Sequence, residues 1–352
     1  MTQSTGGGRA RTRRVTLADV ARRAGVDKAV VSRVVNDDPM LNIRPETRAR
    51  VTAALKELDY RPNVAARSLR TARAGTVGLF IPDFANPVYA EIITGAESAA
   101  AERGCALMVG SSTAGRGGAQ SYLDLLGQGR VDGLLLAGGT ITDEEQATLA
   151  DRGLPWLFVN RRGPGAGRHV VLDDELGARL AVRHLLDLGH RRIAHVGGPA
   201  GADTAHRRRD GYATALRSAG LEEDPRLVVQ GSYGPGSGVQ AVQKLLDGPE
   251  PPTALFVANV TSAIGVLSAL RARGVSVPDE MSVVAVHDLP LAEHLIPPLT
   301  TVRMPLRALG ARATRLLLSV PADQLVEEVV REPIELVVRQ STAGPRQGPR
   351  TL

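Results

Sequence analysis

At 352 residues and 43% hydrophobic content, the chain is long enough for more than one folded unit and too apolar for a disordered protein. A single cysteine, Cys105, excludes an intrachain disulfide or a cysteine-based metal cluster, and its apolar surroundings (CALMV) mark it as a core residue. The formal net charge is +6, yet residues 1–75 hold 16 Lys and Arg against 7 Asp and Glu, a segregation that suits phosphate binding and not a metabolic or periplasmic enzyme.

Residues 1–14, MTQSTGGGRARTRR, read as a disordered basic arm without the apolar core of a secretion signal. No apolar run approaches the length that spans a bilayer, so the expected setting is cytoplasmic, on the nucleoid, with no membrane partner. Residues 16–36, TLADVARRAGVDKAVVSRVVN, predict two short helices around a tight turn. Leu17, Val20, Ala21 and Ala24 fall at i, i+3, i+4 and i+7, which gives one apolar face. Thr16 is an N-cap, Asp19 completes an acidic variant of the capping box, and Gly25 stops the helix. Asp27 can cap the second helix, whose Val31, Val34 and Val35 face inward. Its outer face carries Ala29, Ser32, Arg33 and Asn36, with Lys28, Ala29 and Val30 in its first turn. Small groups, a hydroxyl, an arginine and an amide on one short helix suit the DNA major groove, where arginine reads guanine through two parallel hydrogen bonds. A helical hairpin with solvated charges is the plainer reading of the same residues.

A third helix is predicted over residues 45–58, with Pro45 near its first position and Val51, Leu55 and Leu58 on its apolar face. Past residue 75 short apolar strands alternate with Ala-rich helices. TVGLFIP (76–82), CALMVG (105–110), VDGLLLA (131–137) and PWLFVN (155–160) form one set of strands. RIAHVGG (192–198), RLVVQ (226–230), TALFVAN (253–259) and SVVAVH (282–287) form a second, and helices span 89–103, 177–188 and 261–273. This alternation predicts parallel sheets with helices on both faces, arranged as two lobes with a cleft at the carboxyl ends of the strands.

The motifs VTLADVARRAGV, VVSRVVN, ETRARV, LDYRPNVAARSL, IPDFANPVYAEIITGAE, LGHRRIAHVGGP, RRRDGYATAL and PPLTTVRMP occur in that order over residues 15–340. In them the chain resembles the lactose-repressor (LacI/GalR) family of bacterial transcription regulators. The resemblance implies an all-α helix-turn-helix domain over 15–61, a hinge helix and linker over 62–74, and an α/β two-lobed periplasmic-binding-protein-like core over 75–340 that also dimerises, before a flexible tail over 341–352. It implies three crossings between lobes, placed near residues 172, 300 and 333. The tail lacks the leucine heptads of a terminal four-helix assembly, so a homodimer is expected and not a tetramer.

The function that follows is a repressor that binds palindromic operator DNA and is controlled by a small sugar-like effector in the cleft. The hinge residues Asn63, Ala65, Ala66, Arg67 and Leu69 would enter the minor groove. Their short helix would be disordered off DNA, and Leu69 would be the wedge that kinks a central base step. Matched position by position, the effector residues would be Asp83, Asn86, Val88, Tyr89 and Asn160 from the first lobe. Arg208, Tyr233, Asn259, His287 and Asp288 would come from the second. Arg208 brings a donor fork, and His287 stands where the family commonly has aspartate, so an effector response that varies with pH near 6.5 is expected. Aromatic platforms are few; Phe84, Tyr89 and Tyr233 are the candidates.

Enzyme signals are weak. GPGAGR (163–168) has no following GK[ST] and reads as a surface turn. His184, His190 and His195 lack metalloprotease spacing, and His190 reads as a packing or capping residue. The Asp173-Asp174-Glu175 cluster reads as a helix start. No nucleophile, base and oxyanion donor assemble, so neither catalysis, a metal nor a cofactor is expected. A solute-binding protein or carbohydrate enzyme on the same lobes is the competing reading, and it leaves the first 70 residues unexplained.

Overall fold

The computed structural model describes residues 15–61, 73–111, 118–138, 142–163 and 167–346. Contacts divide the chain into two units, Met1–Ala72 and Arg73–Leu352. In the first, helices α1 (Leu17–Ala24), α2 (Lys28–Val35) and α3 (Pro45–Glu57) each begin on the signal that the sequence carries. The Thr16 hydroxyl accepts from the Asp19 amide, and the Asp19 carboxylate accepts from the Thr16 amide at 2.9 Å. Gly25 ends α1 at φ 64°, a left-handed cap that costs glycine nothing. Asp27 caps α2 by accepting from the Ala29 amide at 2.7 Å, and Pro45 opens α3. Val20, Val31 and Val51 are fully buried where the three helices meet, with Ala21, Ala24 and Ala54 around them.

The second unit contains two six-stranded sheets. The first holds β1 (Thr76–Ile81), β2 (Ala106–Ser111), β3 (Gly133–Leu136), β4 (Trp156–Val159), β5 (Arg168–Val171) and β11 (Val326–Val329), in the order β11-β5-β4-β3-β1-β2, all parallel. The second holds β6 (Ile193–Val196), β7 (Val228–Val229), β8 (Ala254–Val257), β9 (Ser282–Val286), β10 (Thr300–Arg303) and β12 (Glu335–Val337), in the order β12-β10-β9-β8-β6-β7. Only β12 runs antiparallel there, beside β10. The helices are α4 (Val88–Glu102), α5 (Gly118–Gly127), α6 (Asp143–Asp151), α7 (Asp174–Asp187), α8 (Asp203–Ser218), α9 (Pro235–Leu246), α10 (Val260–Ala272) and α11 (Leu306–Ser319). The chain changes sheets after β5, between β10 and α11, and between β11 and β12.

Strands β1, β3, β4, β6, β8 and β9 are buried along almost their whole length, as apolar runs covered on both faces should be. Strands β5, β10, β11 and β12 carry no such run: VEEV and TTVR mix polar with apolar residues, and β11 and β12 are edges. Cys105 is only half-buried, because it leads into β2, an edge strand whose Met108 is 40% exposed.

Helices α4 and α11 touch at the backbone. A methyl group on Gly95 would lie 2.0 Å from the Arg307 carbonyl oxygen, and one on Gly310 would lie 2.0 Å from that of Ile92. His195 on β6 packs against both Tyr212 and Phe256, with ring centroids 5.3 and 4.9 Å away. Burial lowers its pKa to about 4, against a partial opposing effect from the Phe256 carbonyl.

Two outcomes follow from this packing. Gly310→Ala should destabilise the core by about 1–3 kcal/mol in urea unfolding, since backbone cannot yield as a side chain does. His195 is neutral when folded and titrates near 6.5 when unfolded. Its contribution is therefore complete above pH 6.5 and is lost as pH falls from 6.5 toward 4, up to about 3 kcal/mol. Unfolding at pH 7 and 4.5 should show a flatter loss in His195→Gln than in the wild type.

Candidate nucleic-acid interface and cleft

On α2 the side chains of Lys28, Ala29, Arg33 and Asn36 are exposed, while Val30 and Ser32 are half-buried. Val31, on the opposite face, is sealed in the core, so the helix cannot turn that outer row inward without losing its packing. Arg33 has only a loose surface pairing, Nε to Asp38 at 3.8 Å, which leaves its fork available. Asn36 is engaged locally: its side-chain amide donates to the Ser32 carbonyl at the end of α2. The arm 1–14, Asn63, Ala65, Ala66, Arg67 and Leu69 of the hinge, and residues 347–352 of the tail lie outside the described residues.

In the second unit a cavity of about 630 Å³ lies between the two sheets. Its first-lobe wall includes Asp83, Asn86, Tyr89, Asn160 and Arg161, and its second-lobe wall Asp203, Thr204, Ser232, Tyr233 and Thr261. These residues follow the carboxyl ends of β1, β4, β6, β7 and β8, where the chain turns into the first residues of α4, α8, α9 and α10. Ligands of open α/β sheets bind at such crevices, where helix N-termini present unpaired N–H groups. Asn86 accepts from the Val88 amide at 3.2 Å and Asp83 from the Ala85 amide at 2.9 Å, which orders the β1–α4 turn. Tyr89 is 9% exposed, and burial pushes its hydroxyl pKa well up, so the side chain on the cavity wall is a neutral phenol.

Of the ten residues matched to effector contacts, Asp83, Asn86, Tyr89, Asn160 and Tyr233 line the cavity. Val88 is packed in the core at the start of α4, and Phe84 is 56% exposed and off the cavity wall. Arg208 is 2% exposed. Its Nε and Nη2 donate to Asp174, its Nη1 donates to the Ala258 carbonyl, and its Nη2 lies 3.2 Å from His287 Nε2. Asn259 caps α10 through the Ser262 amide at 2.9 Å and donates to the Tyr233 carbonyl at 3.0 Å, so both ends of its amide are used internally. Asp288 is held by Thr301, Arg303 and Arg339. In this arrangement of the lobes Arg208, Asn259, His287 and Asp288 form a layer behind the cavity wall.

The pH response expected of His287 is not supported. Its ring is 2% exposed, and burial, reinforced by the Arg208 charge, holds its pKa well below 6.5. With the guanidinium donating to Nε2, the proton sits on Nδ1 and the ring stays neutral.

Asp174 does more than start a helix. Asp173 is the cap, accepting from the Leu176 amide at 2.8 Å, while Asp174 is fully buried and pairs with Arg207 at 2.5 Å and Arg208 at 2.7 Å. Arg207 also donates to the Leu172 carbonyl at the first crossing and pairs with Asp203 at 2.9 Å. The Asp203 carboxylate in turn accepts from the Arg162 amide of the first lobe at 3.0 Å. Asp203, Thr204 and Thr261 escaped the sequence reading; the one local signal is that each sits in the first turn of a helix that follows a buried strand. His190, by contrast, has the packing role expected of it, bonded to Thr253, Ser282 and the Ala343 carbonyl. Among the described residues no helix is long and apolar enough to cross a membrane, and no cluster of three His, Cys, Asp or Glu could hold a metal.

The family described as bacterial regulatory proteins, lacI family, matches residues 16–63, and a periplasmic binding protein-like domain matches residues 182–342. Catabolite control protein A of Priestia megaterium is 35% identical over 331 residues, covering 93% of this chain and 99% of that protein. The structure of the lac repressor dimer bound to operator and the anti-inducer ONPF superimposes with TM-score 0.80 and 30% identity, over 94% of this chain and all of that one. A complex of the transcriptional regulator CelR with cellobiose gives TM-score 0.69 and 34% identity, over 93% of this chain and all of that one.

Replacing Asp174 by Asn should leave the buried Arg208 without a counter-charge and Arg207 with Asp203 alone. Equilibrium unfolding is expected to show a loss of about 3–5 kcal/mol, the usual cost of removing one partner from a buried pair.

Proposed function

The chain belongs to the lacI family of bacterial regulatory proteins and is a DNA-binding transcription regulator, and from that premise we propose a dimeric repressor switched by a small molecule in the inter-lobe cleft. The observation that carries the reading is the exposed row Lys28, Ala29, Arg33 on a helix whose other face is locked by Val31. Such a helix enters a major groove with its first turn against base edges, and two copies related by a two-fold axis read a palindrome. The operator and ONPF in the lac repressor dimer, and the cellobiose in CelR, support DNA and a sugar-like molecule as the two ligands here.

The cavity chemistry supports an uncharged, hydroxyl-rich effector. Among the described residues lining it, two carboxylates, two asparagines and several hydroxyls face one arginine, Arg161. Arg208, whose charge would favour an acid, is already balanced by Asp174. A molecule that touches both lobes has a different affinity for each lobe arrangement, and only such a difference shifts the population that binds operator. Residues 62–69 would carry that shift to DNA as a hinge helix, with Asn63, Ala65, Ala66, Arg67 and Leu69 in the minor groove. The protein would act in the cytoplasm, on the nucleoid, as a binder without catalytic chemistry. A solute-binding protein or a carbohydrate enzyme would have no use for three helices built around a basic outer face.

Arg33→Ala should weaken binding to an operator selected from a random duplex library by about 1–3 kcal/mol, the worth of a bidentate arginine–guanine pair. Fluorescence anisotropy on the selected duplex measures it. Unchanged affinity in a folded Arg33 variant would remove α2 as the reading helix.

A further inference from the structure

Two side-chain oxygens on the cavity wall have no partner. Asn160 Oδ1, at the end of β4, and Thr261 Oγ1, at the second residue of α10, are both shut off from solvent and bonded to nothing. Their neighbours are different. Thr204 and Tyr233 bond each other at 2.7 Å, Ser232 accepts from the Gly234 amide, and Asn259 is consumed at both ends. A buried, unpaired oxygen is costly, and the great majority of such groups in folded proteins find partners.

Asn160 carries a second mark. It is 7% exposed and sits at φ 63°, in the left-handed region, although it is not glycine. Its amide donates to the Val170 carbonyl at 2.9 Å, so the conformation is fixed by the sheet and not by a mobile loop. Strained, non-glycine positions of this kind concentrate where a side chain must be held toward a ligand.

We propose that the effector presents hydroxyl donors to Asn160 on the first lobe and Thr261 on the second, and that Thr261 is the specificity-determining contact of α10 in place of Asn259. The proposal rests on the reading of the cleft as an effector site. Its chemistry is set by the two atoms. Asn160 Oδ1 only accepts, so it calls for an O–H or N–H and repels a carboxylate; Thr261 Oγ1 can accept or donate. A neutral polyol or sugar ring with two hydroxyls reaches both, and an acid of the same shape does not. Because the two oxygens belong to different lobes, pairing both favours one lobe arrangement, which pairing either alone cannot do.

The test uses the full chain as wild type, Thr261→Val, Thr261→Ser and Asn160→Gly. Valine matches threonine in shape and removes the hydroxyl; glycine keeps the left-handed turn and removes the amide. Thermal midpoints are measured first without ligand, then calorimetric binding with cellobiose, ribose, glucose and glycerol as neutral probes and gluconate as the acid. Without ligand, Thr261→Val should melt at or above the wild type. Of the neutral probes, the tightest wild-type binder should bind Thr261→Ser comparably, and both Thr261→Val and Asn160→Gly about tenfold or more weakly, with gluconate silent throughout. A ligand-free Thr261→Val that melts several degrees lower overturns the proposal, since its hydroxyl would then have a partner inside the protein. Full binding retained by Thr261→Val, or gluconate binding as well as glucose, overturns it too, and leaves the cleft as the effector site. If no neutral probe binds the wild type, the sugar-effector reading of the cleft fails, and this proposal fails with it.

Discussion

A single buried carboxylate organises the ligand-facing half of the molecule. Asp174 has no exposure to solvent, and a lone ionised carboxylate in such a place would be untenable; two guanidiniums make it tenable. Each arginine then carries the constraint outward. Arg207 ties the start of α7 to the Leu172 carbonyl, where the chain leaves the first sheet, and to Asp203 on the cavity wall. Arg208 ties it to the ends of β8 and β9, through Ala258 and His287. One charge cluster thus fixes the first crossing at Leu172, the cavity wall and the layer behind it as a unit, and a ligand that disturbs Asp203 disturbs that crossing with it.

The cleft itself comes from topology. Six strands per sheet, nearly all parallel, end on the same side and turn into helices, so loop residues with unrelated sequence positions meet over one cavity. Close packing elsewhere holds those ends in place. Helices α4 and α11 belong to segments about 215 residues apart, yet Gly95 and Gly310 let their backbones touch, and Glu91–Arg307 and Glu102–Arg315 pairs flank the contact. The exposed pairs add little energy; the two missing side chains matter more.

The DNA-binding unit depends on different physics. Its core is small, about a dozen apolar side chains, and its helices start and stop on local capping. Bonds between residues two or three positions apart set where α1 and α2 begin, and the buried face of each helix supplies the packing between them. Its outer face is therefore free to vary without loss of fold, which is what a reading surface needs.

That difference decides how much could be read from the sequence. Thr16, Asp19, Gly25, Asp27 and Pro45 announced the three helices, because capping is a bond between near neighbours. Apolar runs announced eight strands, since burial on both faces leaves no room for polar residues. Charge segregation and the ordered motifs announced the partner and the family. The mixed strands β5, β10, β11 and β12 escaped, because edges and crossing points do not demand an apolar run. The fate of individual polar side chains escaped more completely. Arg208 and Asp174 lie 34 positions apart and Arg208 and His287 79, and nothing local says that they meet. Motif matching put Arg208, Asn259 and His287 in the cleft, whereas tertiary packing spent their hydrogen bonds on one another and on the backbone. It left Asn160 and Thr261 unpaired on the wall instead. The sequence alone determined the three N-terminal helices and the apolar strands, through short-range bonds and burial patterns. Only the tertiary structure decided which polar groups remain available to a ligand, because that depends on which distant partners have already claimed the rest.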